Sequence, residues 1–251
     1  MYNVYDLNGE VLIISQGETI AEMSFLFQPI YSYEINGNLH YEVLSQIVSY
    51  SDDVMVNDAF FSGVNDDFIK SLCLKQLKVA QKFGIGSTIS VNATISCIAD
   101  FQFVLDVLEF KELKVALEIS ELNCYTCDKK ILANIAYLQK NGVMIWLDDY
   151  HINNEQANLS LGVIEWDYIK IDKKFLFFNC KDSVAAQQLT QVLSPFTKNG
   201  LIFEGVETFE QSLIVKSTGS LSQGYFHSYP KQWPEIIKDI NNNILAKCDA
   251  Y

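Results

Sequence analysis

Acidic side chains recur at one place in the pattern of this sequence, at the end of short apolar segments. The segments VAL, MIWL, YIKI and LIF are each followed directly by one or two acids. Two further oxygen-bearing residues lie at comparable positions, one in the segment that leaves a predicted hairpin and one near the end of SVNA. Together these residues are Glu42, Asn92, Glu118, Asp148, Asp149, Asp172 and Glu204. Their common position predicts one shared site.

A ring of carboxylates repels itself unless cations neutralise it. Oxygen ligands without a nearby set of histidines or cysteines favour a hard ion, Mg²⁺ or Mn²⁺. Each acid taken alone is better explained as a solvated loop residue, because acids prefer the surface. Their recurrence at equivalent ends of segments that are almost free of charge favours the metal site.

A lysine lies inside the apolar segment YIKI. Burying an unpaired ammonium group is costly, so we expect Lys170 to pair with the carboxylates and to hold or polarise a water molecule. Adjacent Asp148 and Asp149 can serve one cluster only where the strand has ended, which suits one ligand shared by two ions and one private to the second.

Two pairs of acids are spaced three residues apart, so the members of each pair point to opposite sides of an extended chain. These pairs are Glu118 with Glu121 and Glu204 with Glu207. One acid of each pair can reach the metal, and the other is expected to fix a loop or to support the ligands.

Apolar segments alternate with amphipathic ones along the chain, and continuous apolar runs are typical of parallel strands buried on both faces. The predicted strands are Phe25–Ile30, Ser87–Ala93, Lys114–Ile119, Val143–Asp148, Asp167–Ile171, Leu201–Glu204 and Leu221–Tyr225. The predicted helices are Asp66–Phe83, Asp128–Lys140, Asp182–Lys198 and Pro234–Lys247. This order predicts an α/β fold, either a (β/α)8 barrel or a doubly wound sheet, and the length suits the barrel.

Glycines and a hairpin refine this organisation. Gly84, Gly142 and Gly200 each lie between a predicted helix and a predicted strand, where a left-handed C-cap belongs. Asn36-Gly37 lies between alternating residues and predicts a hairpin, which a barrel with antiparallel first strands would explain. We expect an N-terminal extension over residues 1–24 and a barrel domain over residues 25–251.

Composition narrows the classes of partner. The formal net charge is −13, which opposes binding to DNA or RNA and implies that an anionic substrate needs a metal cation. Six cysteines in 251 residues do not make a disulfide scaffold. The sequence also has no secretory signal and no apolar run long enough to span a bilayer, so we expect a cytoplasmic protein.

Eight short motifs, taken in order, resemble those of EAL-domain proteins, the cyclic-di-GMP phosphodiesterases and their degenerate relatives. The resemblance runs from about residue 25 to residue 240. The motifs are Gln28-Pro29-Ile30, Glu42-Val43-Leu44, Val91-Asn92, Glu118-Ile119-Ser120-Glu121, Asp148-Asp149-Tyr150, Lys170-Ile171-Asp172, Glu204-Gly205-Val206-Glu207-Thr208 and Gln223-Gly224-Tyr225.

The resemblance implies a modified (β/α)8 barrel that hydrolyses cyclic-di-GMP to linear pGpG, in second-messenger signalling of the kind that controls biofilm formation and motility. It implies two Mg²⁺ or Mn²⁺ ions, the first held by Glu42, Asn92, Glu118 and Asp148, and the second by Asp148, Asp149 and Glu204. It further implies that Lys170 positions the attacking water and that Glu121 and Glu207 support the site. Gln28, Gln223 and Asp172 are implied to lie near the substrate.

The sequence departs from the family pattern in three places. Val43 replaces the family alanine, Gln46 replaces an arginine found in many members, and the loop after Asp149 reads Tyr150-His151-Ile152-Asn153 where the family has a glycine turn. That loop normally orders the second metal site and contributes to dimer contacts. The departures therefore leave a second hypothesis, a catalytically weak receptor that binds cyclic-di-GMP or a regulatory protein partner; a homodimer is also implied.

Overall fold

The computed structural model describes residues 3–6, 12–16, 18–49, 60–61, 63–120, 128–179 and 182–239. These residues contain ten strands joined in one sheet. The strands are β1 (Asn3–Asp6), β2 (Leu12–Gln16), β3 (Glu18–Ser32), β4 (Gly37–Ser49), β5 (Thr88–Ala93), β6 (Lys114–Ile119), β7 (Met144–Tyr150), β8 (Tyr168–Ile171), β9 (Leu201–Phe203) and β10 (Leu221–Gln223).

Eight of these strands close into a barrel. From β4 to β10 each strand runs parallel to the next. The gap between β10 and β4 is filled by β3, which is antiparallel to both neighbours. The predicted hairpin at Asn36-Gly37 joins β3 to β4, and Asn36 adopts a left-handed φ of 51°. The prediction of a modified (β/α)8 barrel is therefore confirmed, and the doubly wound sheet is excluded because its edges would stay open.

Helices follow most of the strands and cover the barrel. They are α1 (Asp66–Lys82), α2 (Ile95–Ala99), α3 (Phe101–Leu108), α4 (Lys129–Lys140), α5 (Glu155–Ser160), α6 (Lys174–Phe178), α7 (Ser183–Leu193) and α8 (Phe209–Thr218), with a last helix, α9, over residues 233–239. No helix within these described ranges is long and apolar enough to cross a membrane.

Most predicted elements lie where the sequence pattern put them, and the differences have local causes. The helix predicted over Asp182–Lys198 ends at Leu193 and tightens into a 3₁₀ turn over Ser194–Phe196, because Pro195 lacks the N–H group that an α-helix needs. The helix predicted over Pro234–Lys247 is described only as far as residue 239.

The first 24 residues contribute strands to the same sheet. β1 pairs antiparallel with β2, and β2 pairs with the first part of β3. The strand predicted to begin at Phe25 begins at Glu18 instead, since its pairing with β2 extends it towards the N-terminus. The division into an extension over residues 1–24 and a domain over residues 25–251 stays a prediction.

Side chains that point into the barrel form two layers. Alternate residues of a strand share a face, so one set packs as an apolar layer: Ile30, Ala116, Trp146, Tyr168, Ile202 and Leu221. His40 packs against Trp146 and Tyr168, and burial lowers its pKa to about 4, so this layer carries no charge near neutral pH. A second, polar layer lies two residues further along the parallel strands and, on antiparallel β3, two residues earlier. Its members are Gln28, Glu42, Glu118, Asp148, Lys170, Glu204 and Gln223.

The backbone at the end of β10 depends on a close approach between two segments. Gly224 has a φ of 157°, and a Cβ added there would lie 2.2 Å from the carbonyl oxygen of Val206 and 2.3 Å from its nitrogen. Backbone hydrogen bonds run from Val206 N to Gln223 O and from Phe226 N to Val206 O. The absence of a side chain at Gly224 thus allows β10 to approach the segment that follows β9, and the two backbone hydrogen bonds hold them together.

We expect Gly224→Ala to lower the free energy of unfolding by about 2–4 kcal/mol, because the new methyl group would displace backbone rather than a movable side chain. Urea denaturation measures this change. Gly86→Ala is the control, because no described heavy atom lies within 4 Å of its Cβ; we expect a change within about 0.5 kcal/mol. Equal stability of the two variants would contradict the packing argument.

Candidate functional site

One lysine lies at the centre of the polar layer and contacts four carboxylates. The Lys170 Nζ atom lies 2.5 Å from Glu118, 2.8 Å from Glu204, 3.0 Å from Asp148 and 3.3 Å from Glu42. Lys170 is 1% exposed. These five residues come from β4, β6, β7, β8 and the end of β9, and we name them the Lys170 cluster. The structure thus brings together acids that lie far apart in the sequence, as predicted.

Burial and charge act against each other within the Lys170 cluster. Burial alone would lower the pKa of Lys170, but the surrounding carboxylates, Asp148 and Glu118 foremost, raise it well above its usual value. Burial raises the pKa of Glu118 strongly and that of Glu204 to about 8. At Glu42 burial has the same direction, but Lys170 and hydrogen bonds from neighbouring amides outweigh it and lower the pKa. One ammonium group therefore does not neutralise all four acids.

Asp148 and Asp149 face the site together because β7 contains a bulge. The strand was expected to end at Asp148, but it continues to Tyr150. Its register with β8 passes from Leu147↔Ile169 to Tyr150↔Ile171, so two aspartates oppose the single residue between Ile169 and Ile171. Asp149 takes a left-handed φ of 49°, which a β-bulge accommodates. The bulge, and not the end of the strand, turns both carboxyl groups to one side.

Three carboxylates lie at the open side of the barrel: Asp148, Asp149 and Glu204. One oxygen from each lies within 4.8 Å of the other two, and we call this group the rim carboxylates. Partial loss of water around Asp149 raises its pKa to about 6, and the charge of Asp148 adds to the rise. These three residues match the set that the resemblance implied for the second ion.

Amide side chains form one wall of the site. Gln223 donates hydrogen bonds to Glu42 at 2.6 Å and to Gln28 at 3.3 Å. The Asn92 amide nitrogen donates to Glu42 at 3.0 Å. In this orientation the Asn92 oxygen points away from Glu42, and rotation of the amide by half a turn would exchange the two atoms. Gln223 and Asn92 therefore contact the Lys170 cluster directly, through Glu42. Gln28 is linked to the cluster through Gln223.

A cleft of about 530 Å³ lies over the site. It includes four members of the Lys170 cluster, the three amides and Asp149. The other lining residues are Leu44, Lys173, Gly205, Glu207, Gly224 and Tyr225. Leu44, Lys173 and Tyr225 each lie within or next to one of the eight motifs, but the residue pattern predicted no role for them. Gln46 is exposed on β4 opposite Ser24 and is not among the lining residues.

One of the predicted site residues, Asp172, has its carboxylate bound to backbone, and another, Glu121, lies outside the described residues. Asp172 Oδ1 accepts a hydrogen bond from the backbone N–H of Lys174 at 2.8 Å, so it holds the first turn of α6 and does not line the cleft. Glu207 lines the cleft, and its backbone N–H donates to Gln211 at 2.8 Å. Glu121 lies in the range 121–127, outside the described residues.

The loop after the bulge is held by polar side chains in place of a glycine turn. The Tyr150 hydroxyl donates to Asn158 at 2.9 Å, and Asn158 donates to the carbonyl of Ile152 at 2.8 Å. Asn154 caps α5 by accepting from the backbone N–H of Ala157. The altered loop thus has its own set of hydrogen bonds, and it leads directly from the bulge into α5.

The residues present fit divalent cations. Glu118 Oε1 is buried and finds no hydrogen-bond donor among the described residues. Asp148 Oδ1 is also buried, and its partner is the Lys170 ammonium group, 3.0 Å away. Buried carboxylate oxygens without donors are costly unless a cation pairs with them. The donors around the cleft are carboxylate and amide oxygens, which suit Mg²⁺ and Mn²⁺.

Comparison with known proteins agrees with this geometry. A model of the EAL domain matches residues 14–230. The cyclic di-GMP phosphodiesterase TpdA of Vibrio parahaemolyticus is 25% identical over 214 residues, which cover 83% of this chain and 37% of TpdA. The probable cyclic di-GMP phosphodiesterase PdeG of Escherichia coli K12 is 30% identical over 172 residues, covering 64% of this chain and 34% of PdeG. The chain thus spans little more than a third of the length of these relatives.

A solved structure gives the same fold. The crystal structure of an EAL domain protein from Listeria monocytogenes EGD-e has a TM-score of 0.70 to this chain at 20% identity, and the match covers 86% of this chain and 92% of that one. The matched residues of the domain model include every described member of the predicted site. This chain therefore belongs to the EAL domain family.

Proposed function

We propose that this chain is a metal-dependent phosphodiesterase that hydrolyses cyclic-di-GMP to linear pGpG. The observation that carries the proposal is the Lys170 cluster, in which one buried ammonium group faces four carboxylates at the open side of the barrel. The names of the curated relatives support the choice of substrate. A cytoplasmic location, a homodimer and a regulatory protein partner stay predictions.

The proposed ion ligands fall into two sets that share Asp148. Asp149 and Glu204 complete the outer set, whose oxygens already lie close together. Glu42, Asn92 and Glu118 complete the inner set, and Glu42 and Glu118 are at present paired with Lys170. Divalent cations held by these residues would supply a hydroxide nucleophile near neutral pH and would neutralise negative charge that develops in the reaction.

The other residues of the cleft act by position and charge. In the proposed reaction water adds to one phosphorus atom, one P–O bond of the ring breaks, and the leaving oxygen takes up a proton. Lys170 has three N–H groups and faces four carboxylates. Once bound ions take over some of these carboxylates, an N–H group of Lys170 is released to orient the attacking water. Gln223 is fixed through Glu42 and Gln28, and it forms a polar wall beside the substrate.

The first test is hydrolysis of cyclic-di-GMP in Mg²⁺ or Mn²⁺ by the wild type and by Glu204→Gln. Removal of one ligand charge at nearly constant shape is expected to lower kcat by about 100-fold or more. Glu210→Gln is the matched control, since Glu210 lies in the first turn of α8 and is exposed; we expect its kcat within about twofold of wild type. Chromatography measures the rate at which the product, pGpG, forms.

The same experiment separates the enzyme from the receptor hypothesis. Binding of cyclic-di-GMP by the wild type with no pGpG formed in either metal would reject the phosphodiesterase and favour a receptor. Absence of both binding and hydrolysis would point to a protein-partner role. Equal rates for Glu204→Gln and wild type would contradict the proposed ligand set.

The second prediction concerns Lys170 as a counter-ion. In the presence of a chelator, Lys170→Met is expected to lower the free energy of unfolding by about 3–5 kcal/mol, because the facing carboxylates lose their shared partner. Manganese should then restore stability more in this variant than in the wild type, since divalent cations replace the missing charge. Urea denaturation with and without Mn²⁺ measures both effects.

Lys174→Met is the control for this prediction, since Lys174 is 71% exposed at its side chain. We expect its stability to match the wild type within about 0.5 kcal/mol in either condition. A Lys170→Met variant as stable as the wild type in chelator would show that the cluster does not depend on the ammonium group.

A further inference from the structure

Lys173 stands apart from the other cation of the cleft. Its side chain is exposed and lines the cleft together with Glu204 and Gly205. Within the described ranges its ammonium group forms no ion pair, whereas the neighbouring Lys174 lies 3.7 Å from Asp172. Lys170 is paired with four carboxylates. Lys173 is therefore the cleft lysine whose charge is free to meet a ligand.

The backbone of Lys173 is fixed against the segment that carries Glu204. Gly205 has a φ of 65°, and a Cβ added there would lie 2.3 Å from Lys173 Cβ and 3.2 Å from its Cα. The connection between β8 and α6 can approach the end of β9 this closely because position 205 has no side chain. The Lys173 Cα is thus held beside the rim carboxylates, while its long side chain extends into the cleft.

The charge of the substrate requires a second cationic subsite. A cyclic dinucleotide carries two phosphodiester groups on opposite sides of one ring, so the two groups cannot both lie at the proposed ion site at once. The phosphodiester that reacts lies at the proposed ion site, and the other lies elsewhere in an acidic cleft. An unpaired phosphate there would be repelled by Glu207 unless a cation lay beside it.

We propose that Lys173 binds the phosphodiester of cyclic-di-GMP that is not cleaved. The proposal rests on the proposed function for its substrate. It makes Lys173 a positioning residue that orients the ring so that the opposite phosphodiester meets the cluster. Its contribution is expected mainly in substrate binding, because the contact is made equally in the ground state and in the transition state.

The test compares two substrates and three variants in steady-state kinetics. Cyclic-di-GMP has two phosphodiester groups. Bis(p-nitrophenyl) phosphate has only one, so it has no second phosphodiester group that could contact Lys173 while the first one reacts. For cyclic-di-GMP, Lys173→Ala is expected to raise KM about tenfold with kcat within about twofold, and Lys173→Arg to stay within about threefold of wild type. For bis(p-nitrophenyl) phosphate, kcat/KM of every variant should stay within about twofold of wild type.

Lys174→Ala is the matched control, because Lys174 is the next residue, is exposed and carries the same charge outside the cleft. Its KM for cyclic-di-GMP should stay within about twofold of wild type. Salt gives a further readout: the wild-type KM should rise with ionic strength, and this rise should be smaller in Lys173→Ala. A structural role of Lys173 would not change the salt dependence.

The outcomes separate this proposal from the proposed function. Turnover by the wild type with equal KM values for Lys173→Ala and Lys174→Ala would overturn the Lys173 subsite alone, as would an equal loss on both substrates. Binding without turnover would overturn the enzyme, and the dissociation constants of the two variants would then decide the subsite by the same tenfold criterion. A wild type that neither binds nor hydrolyses cyclic-di-GMP would overturn both.

Discussion

The contact between Lys170 and its four carboxylates is the constraint on which the site depends. Charges removed from water are costly unless they are paired in good geometry. Four strands of the barrel and the end of a fifth must therefore meet at fixed heights, or the ammonium group loses a partner. Glu118 shows the severity of this condition, because it is 0% exposed and one of its oxygens still finds no hydrogen-bond donor among the described residues.

The barrel meets this condition because side chains alternate between the two faces of each strand, so every second residue points into the barrel. The same alternation that puts Tyr168 in the apolar layer puts Lys170 in the polar layer above it. β3 runs in the opposite direction, so its polar residue precedes its apolar one: Gln28 lies opposite Glu42 in the register, and Ile30 lies opposite Gln223 on the other side. Through Gln28, β3 thus adds an amide to the polar layer and not a further acid. The polar layer already contains more carboxylates than the single ammonium group can neutralise.

Much of this arrangement was predictable from the sequence, because buried parallel strands are recognisable as continuous apolar runs and their carboxyl ends lie on one face of the barrel. Glu118 and Glu204 followed that rule. Asp172 ends a strand in the same way, yet its carboxylate is taken by the backbone of Lys174, since the chain turns at once into α6. The bulge at Asp149 left no signal in the residue types, because it depends on a register with β8 that only the closed barrel fixes.

The two proposed ion sites differ in what each must displace. The rim carboxylates lie close together, and Glu204 and Asp148 keep 19% and 11% of their side chains exposed. Glu42 and Glu118 lie deeper, and Lys170 already neutralises part of their charge. Lys170 also contacts Asp148 and Glu204 at the rim, so a cation at either position must share carboxylates with an ammonium group. Repulsion between that ammonium and a divalent ion opposes binding at both positions, and the raised pKa of Lys170 means that loss of its proton does not relieve it. The rim differs in that it adds Asp149, a carboxylate that forms no ion pair with Lys170, and Asp148, common to both sets, couples the occupancy of one position to that of the other.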